Sequence, residues 1–265
     1  MDRISKALEL ARKERGNSAD HTPADAPAEP QPVAYTRTRR LEVPPEIARQ
    51  NRIILDDHGP MADAYSLLRT RVIRRMRQNS WSTLGITSAG PADGKTLMAI
   101  NLGVAISKDP NSTVLLVDAD LRRPAVHKRF GLEPELGLGE YLNSECAVAD
   151  MLINPGINDF VLVPCCGFVS RSSELLSTPR MAHLVEELKT RYPSRIVIFD
   201  LPPVLVADDV VAFSGLVDAV LLVVEDGKTP AKELQHAVEL LEGVNLMGSV
   251  LNKSDEAGKS YDKYY

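Results

Sequence analysis

The sequence predicts an α/β fold, doubly wound, with a mainly parallel sheet covered by helices on both faces. Three observations carry this expectation. Short segments such as "STVLLVDAD" and "RIVIFDL" are apolar at almost every position, as strands buried on both faces must be. Helix-length amphipathic stretches separate most of them, the alternation that builds parallel sheets. Finally, "ITSAGPADGKTLMAINLG", from Ile86 to Gly103, runs apolar, breaks on Gly-Pro-Ala-Asp-Gly and resumes as an apolar helix. Loops at that kind of junction face the ligand crevice of an open α/β sheet.

Taken in order, residues 1–16 read as a basic amphipathic helix, with Ile4, Ala7, Leu8 and Ala11 on one face and Arg3, Lys6, Arg12, Lys13 and Arg15 around it. Such a helix docks on a partner or on anionic lipid, or stays solvated and half-formed. Residues 17–45 are rich in Pro, Ala and acids, with little to bury, and read as a disordered linker. Residues 46–255 form the folded domain. Helical periodicity runs through "ADAYSLLRTRVIRRMRQ", and then come the strands "STLGITS", "STVLLVDAD", "DFVLVP", "RIVIFDL", "DAVLLVVED" and "MGSVLNK". Helices are expected at "LMAINLGVAIS", "MAHLVEELKTRY" and "AKELQHAVELLEGV". Residues 256–265 read as a flexible tail carrying Tyr261, Tyr264 and Tyr265.

Bulk properties narrow the function. The 265 residues are 44% hydrophobic and 25% charged, enough apolar content to bury a full core. No run is long and apolar enough to span a bilayer, and the charged N-terminus does not resemble a signal peptide, so a cytoplasmic location is expected. The net charge of −5 argues against a dedicated nucleic-acid binder. Cys146, Cys165 and Cys166 match neither a disulfide framework nor a zinc spacing and are read as free thiols.

The phosphate-binding pattern asks for Gly, four residues, then Gly-Lys-Ser/Thr. Here Ala89 takes the first place, Gly90, Pro91, Ala92 and Asp93 fill the turn, Gly94, Lys95 and Thr96 close it, and Leu97 opens the apolar helical run. Backbone N–H groups and the helix dipole at such a terminus favour a polyphosphate. This specifies a P-loop NTPase fold, with Lys95 bridging phosphates and Thr96 offering a hydroxyl to Mg²⁺. Two further strands end on acids, Asp118 and Asp120 on one and Asp200 on the other. They project into the same crevice, where a hard cation takes one or two carboxylates.

Together these residues resemble the bacterial tyrosine kinases (BY-kinases) of capsule and exopolysaccharide export. The resemblance rests on the Walker A loop Ala89–Thr96, the Walker A′ strand "VLLVDADLRRP", the Walker B strand "IVIFDLPP", and on "SSELLSTPRM" and "GSVLNKSD". The segments "RISKALELAR" and "ARQNRII" are similar to the exosortase-associated branch. The resemblance implies ATP as phosphoryl donor, Mg²⁺ as cofactor, and autophosphorylation between subunits on the C-terminal Tyr261, Tyr264 and Tyr265. It implies Thr96, Asp118 and Asp200 at the metal, and Lys95, Asp118 and Asp120 as catalytic groups, with either Asp118 or Asp120 taking the phenolic proton. Asn252 would contact the adenine. The implied partners are an inner-membrane polysaccharide chain-length (co-polymerase) protein, which recruits the chain to the inner face of the plasma membrane, and further copies of the chain. The family's Glu-x-x-Arg-x-x-Arg helix, which helps subunits form a ring, corresponds to Asp63, Ser66 and Arg69, so a weaker or differently built oligomer is expected.

Three alternatives remain open on the sequence. One is a P-loop ATPase switch of the partitioning or division-site type, whose early P-loop lysine is Gly90 here. Another is a nucleotide-binding regulator without kinase activity. The third concerns the base, because Asn252-Lys253-Ser254-Asp255 spells the Asn-Lys-x-Asp tetrad by which GTPases read guanine. Arg122 and Arg123 are read as phosphate ligands, contacts to a neighbouring chain, or plain surface residues.

Overall fold

The structure is a computed structural model that describes residues 38–191 and 194–254. The basic helix, most of the linker and the tyrosine tail lie outside these residues. In chain order the elements are β1 (Arg39–Arg40), α1 (Pro45–Gln50), α2 (Pro60–Gln78), β2 (Thr83–Ser88), α3 (Lys95–Ser107), β3 (Thr113–Asp118), α4 (Val126–Arg129) and α5 (Leu138–Leu142). After a 3₁₀ turn (Val148–Met151) come β4 (Ile153–Asn154), β5 (Phe160–Val163), α6 (Ser172–Leu176), α7 (Pro179–Thr190), β6 (Arg195–Asp200), α8 (Asp209–Ser214), β7 (Ala219–Glu225), α9 (Ala231–Leu240) and β8 (Leu246–Asn252).

The strands form one sheet in the order β1-β4-β5-β3-β6-β2-β7-β8. Every pairing is parallel except that of β4 with β5, so the expected doubly wound architecture is what forms. Alternate residues of each strand serve opposite faces. On one face Leu84, Ile86, Val114, Leu116 and Ile198 pack under α2 and α3; on the other Leu115, Val117, Val197, Phe199 and Leu222 pack under α7 and α8. This explains why the strand sequences read as continuous apolar runs.

α3 is the central helix. Every residue from Met98 to Ser107 is buried, and it lies close on the sheet through Gly103, where a Cβ would come within 2.8 Å of the Phe160 ring. Proline at the first turn fixes the starts of α1, α2 and α7 without losing a helical hydrogen bond. The Thr178 hydroxyl accepts from the Met181 N–H at 3.2 Å and caps α7.

Order begins earlier than the composition suggests. The linker was expected to run to Pro45, yet Arg39 and Arg40 pair with β4, with Arg39 N–H donating to Leu152 O at 3.2 Å and Leu41 N–H to Asn154 O at 2.8 Å. Pro45 itself opens α1. The pairing is made by backbone groups, and both arginine side chains are exposed, so no apolar pattern announces it.

Candidate functional site

The loop after β2 is held by its own side chains. Ser88 Oγ donates to Gly90 O at 2.7 Å, and Gly90 N–H donates to Asp93 Oδ2 at 2.9 Å. Ala92 and Gly94 have φ of 68° and 99°, which turn the chain so that α3 starts at Lys95. A Cβ on Gly94 would run into the Asn252 side-chain amide, so glycine is required there on two counts. From β8, Asn252 Nδ2 donates to Asp93 O at 2.8 Å and Lys253 Nζ to Ala92 O at 2.8 Å. Lys253 is itself held by Glu225 Oε2 at 2.9 Å. Ala89 is buried, and Pro91 and Ala92 are exposed at the tip.

Parallel register sets the acids side by side: Asp118 on β3 is the partner of Asp200 on β6. Lys95 Nζ lies 2.8 Å from Asp120 Oδ2 and 3.3 Å from Asp200 Oδ1, and the Thr96 hydroxyl donates to Asp200 Oδ2 at 2.6 Å. Asp118 Oδ2 accepts the N–H groups of Ala125 at 3.1 Å and Val126 at 3.0 Å, while its Oδ1 is buried without a partner among the described residues. Lys95, Thr96, Asp118, Asp120 and Asp200 therefore meet in one cluster, as the strand ends implied.

The electrostatics are those of crowded, buried acids around one ammonium. Burial works against the Lys95 charge, but Asp200 and then Asp120 outweigh it and hold the ammonium above its ordinary pKa. Burial, and next the Asp200 charge, push Asp118 well above the usual carboxylate range. Burial also raises Asp200, with Lys95 and the Thr96 hydroxyl pulling it only part of the way back. One ammonium thus leaves the carboxylates undercompensated. The Thr96 hydroxyl, the Asp200 carboxylate and the orphaned Asp118 oxygen form an all-oxygen donor set suited to a hard divalent cation such as Mg²⁺. Among the described residues no group of three or more His, Cys, Asp or Glu is arranged to hold a metal by itself. Phosphate oxygens and water would complete the shell, as is usual for Mg²⁺.

Tyr261, Tyr264 and Tyr265 lie outside the described residues. Arg122 is committed inside the chain: its Nη2 lies 2.8 Å from Asp208 and 3.0 Å from the fully buried Asp209, which also accepts from Ser172 Oγ at 2.8 Å. Sequence reasoning missed Asp208, Asp209 and Ser172 as its partners, and missed Lys253 and Glu225 as props of the loop. Only Lys253 left a signal, by following Asn252. In α2, where the oligomer was expected to differ, Arg69 Nη1 donates to Ala105 O at 3.2 Å and ties α2 to α3. The cysteines are free thiols, and burial first of all pushes Cys165 and Cys166 up to about 12.

A phosphate loop on a parallel sheet, with a lysine and two strand-end acids at its mouth, defines a P-loop nucleotide-binding protein. Residues 86–265 match the family described as the CobQ/CobB/MinD/ParA nucleotide binding domain. The chain is 30% identical over 206 residues to the tyrosine-protein kinase YwqD of Bacillus subtilis, covering 77% of this chain and 86% of that one. It is 34% identical over 192 residues to the tyrosine-protein kinase Etk of Escherichia coli K12, covering 72% of this chain and 26% of Etk. The chain thus spans about a quarter of Etk's length. The solved kinase domain of E. coli ETK superposes with a TM-score of 0.68 at 30% identity, over 81% of this chain and 88% of that one. The chain belongs to the bacterial tyrosine kinase family.

Proposed function

We propose that the chain is an Mg²⁺-ATP-dependent protein-tyrosine autokinase that regulates exopolysaccharide or capsule chain length or export. The observation that carries this reading is the Lys95 ammonium poised between Asp120 and Asp200 at the start of α3, directly after the phosphate loop. Backbone N–H groups of Ala92–Thr96 and the α3 dipole would hold the polyphosphate, and Lys95 would turn from its acids to the phosphates being separated. Thr96 and Asp200 would hold Mg²⁺, with Asp118 beside them, and the ion would supply neutralisation of charge on the phosphate oxygens. Once Lys95 engages phosphate, Asp120 Oδ2 gives up its ion-pair partner while Oδ1 keeps the Arg123 N–H at 3.0 Å, and Asp120 accepts the tyrosine proton, a transfer that an unperturbed phenol near pKa 10 requires. Asn252, fixed by its bond to Asp93 O, meets the adenine.

The acceptors are Tyr261, Tyr264 and Tyr265. The chain works in the cytoplasm as a homo-oligomer, recruited to the inner face of the plasma membrane by an inner-membrane chain-length protein. Among the described residues no helix is long and apolar enough to cross a membrane, which suits a separate membrane partner.

The test incubates purified protein with Mg²⁺-ATP and probes for phosphotyrosine, beside Lys95→Met and a version ending at Lys259. Label is expected in the first alone. Label in the Lys95 variant refutes the assigned site, and ATP turnover without label refutes the kinase. Competition of ATP and GTP against a fluorescent nucleotide tests the adenine assignment, which fails if GTP competes as well.

A further inference from the structure

The segment 119–125 carries Asp120 past the end of β3 without forming helix or strand. Its main chain is held at single points: Ala119 N–H donates to Asp200 O at 2.9 Å, and Leu121 O accepts from Val169 N–H at 2.9 Å. The stronger tie is a side chain. Arg122 Nε donates to Ser172 Oγ and to Asp209 Oδ2, each at 3.0 Å, and Nη2 donates to Asp209 Oδ1 at 3.0 Å and to Asp208 Oδ1 at 2.8 Å. Ser172 opens α6 and Asp209 opens α8, and both are buried. The Ser172 hydroxyl also donates to Asp209 Oδ2 at 2.8 Å. α8 is in turn referenced to the phosphate loop, because the segment leading to it donates from Leu201 N–H to Ile86 O and from Val204 N–H to Ser88 O, both at 2.9 Å. One guanidinium therefore joins the loop of Asp120 to the strand that leads into the phosphate loop. A buried ion pair contributes little net stability beside apolar groups of like size, whereas a fork of paired donors fixes direction as well as distance. Geometry is what this clamp supplies.

We infer that Arg122 is the positioning residue of Asp120: gripped by Asp209 and Ser172, it holds the Asp120 carboxylate at the site when Lys95 leaves for phosphate. The inference rests on the kinase reading and deepens it, since Asp120 is the group that takes the phenolic proton there. Two contacts hold the Asp120 side chain, the Lys95 ammonium on Oδ2 at 2.8 Å and Arg123 N–H on Oδ1 at 3.0 Å. Engagement of a nucleotide removes the first. The second is carried by the planar peptide unit that joins Arg122 to Arg123, so its direction is set by where Arg122 is anchored. Lysine at position 122 would keep the charge but offer a single point of contact in place of the fork, and the loop would pivot about it. A reacting group displaced by about 1 Å costs on the order of 10²-fold in rate.

The test uses the full chain and three variants: Arg122→Lys, Arg122→Met, and Arg122→Met combined with Asp209→Asn. Arg122→Met alone strands the Asp209 charge and is expected to lower the urea midpoint. Asp209→Asn removes that charge, leaves Ser172 a partner and is expected to restore the midpoint. All three variants should transfer phosphoryl groups to tyrosine on the order of 10²-fold more slowly at saturating Mg²⁺-ATP, with the KM for ATP unchanged. Amide exchange, read by mass spectrometry on nucleotide-free protein, should quicken about tenfold or more over residues 121–123 while β3 keeps its protection. Full speed in the double variant overturns the inference, since only the stranded charge then mattered. So does a raised KM for ATP alongside exchange that quickens throughout the sheet, which would make Arg122 a support of the fold alone. If the unaltered chain forms no phosphotyrosine, the kinase reading fails and exchange decides: quickening confined to residues 121–123 upholds the clamp, and unchanged exchange overturns it.

Discussion

Lys95 and Asp118 respond to substitution in opposite senses, because one supplies the charge that the other lacks. Lys95→Met is expected to lower phosphoryl transfer by about 10²–10³-fold, the usual cost of a lost group that stabilises developing charge. It should also destabilise the fold by on the order of 3 kcal/mol, since it strands Asp120 and Asp200 in the interior; urea melts beside a single-turnover assay check both. Asp118→Asn is expected to lose activity yet gain stability of on the order of 1 kcal/mol at neutral pH, because a buried carboxyl held above its ordinary pKa disfavours the folded state once ionised. The sign follows from proton counts. The native chain binds more protons than the unfolded one between the model-peptide value of 3.8 and the raised value, so its stability falls as pH rises through that window. The advantage of the Asn variant should vanish below pH 3.8. These acids and Lys95 were legible in the sequence because strand ends and helix starts fix where side chains point. Lys253 on Ala92 was not, since the bond joins positions 161 residues apart and nothing local distinguishes that lysine from a solvated one. Arg122 was ambiguous for a related reason, as its buried partner Asp209 reads locally as an ordinary first-turn acid.

At the level of elements, the joints between strands and helices carry the constraint. Gly94→Ala places a side chain at a φ of 99° and against Asn252. About 1–2 kcal/mol of backbone strain is expected, together with weaker nucleotide binding, measured by calorimetry. A second joint lies at the opposite end of the sheet, where Asp218 Oδ2 accepts the N–H groups of Ser82 at 2.8 Å and Thr83 at 2.9 Å, and Oδ1 meets Lys189 at 3.0 Å. Burial works against this carboxylate, but those donors prevail and hold its pKa below 3.8. Asp218→Asn should therefore cost about 1–3 kcal/mol at neutral pH. That difference is present above pH 3.8 and lost as pH falls through the depressed value, as urea midpoints across pH will reveal. The strands and long helices were readable from periodicity because both faces of the sheet are covered. β1 and the start of α1 were not, since Arg39–Arg40 joins the sheet through main-chain groups alone.

For the whole molecule, the site and the fold share their supports, so ligand should act on global stability. Mg²⁺-ATP at a hundred times its Kd adds about 2.7 kcal/mol to the native state, which for a domain of this size raises Tm by about 5–10 °C. Chelating the metal with EDTA should remove most of that rise, and scanning calorimetry tests it. An unchanged Tm with and without the metal would dissociate the acid cluster from nucleotide binding.

The grip of Asn252 and Lys253 on the phosphate loop also has a mechanical side. A load drawn through the C-terminal segment reaches the carbonyls of Ala92 and Asp93 through the Lys253 and Asn252 side chains, at the same point where the Asp226 N–H meets Asn252 O at the end of β8. Traction on the tail, whether from a bound neighbour or from the bead of a force probe, would thus bear on the nucleotide seat together with the edge of the sheet.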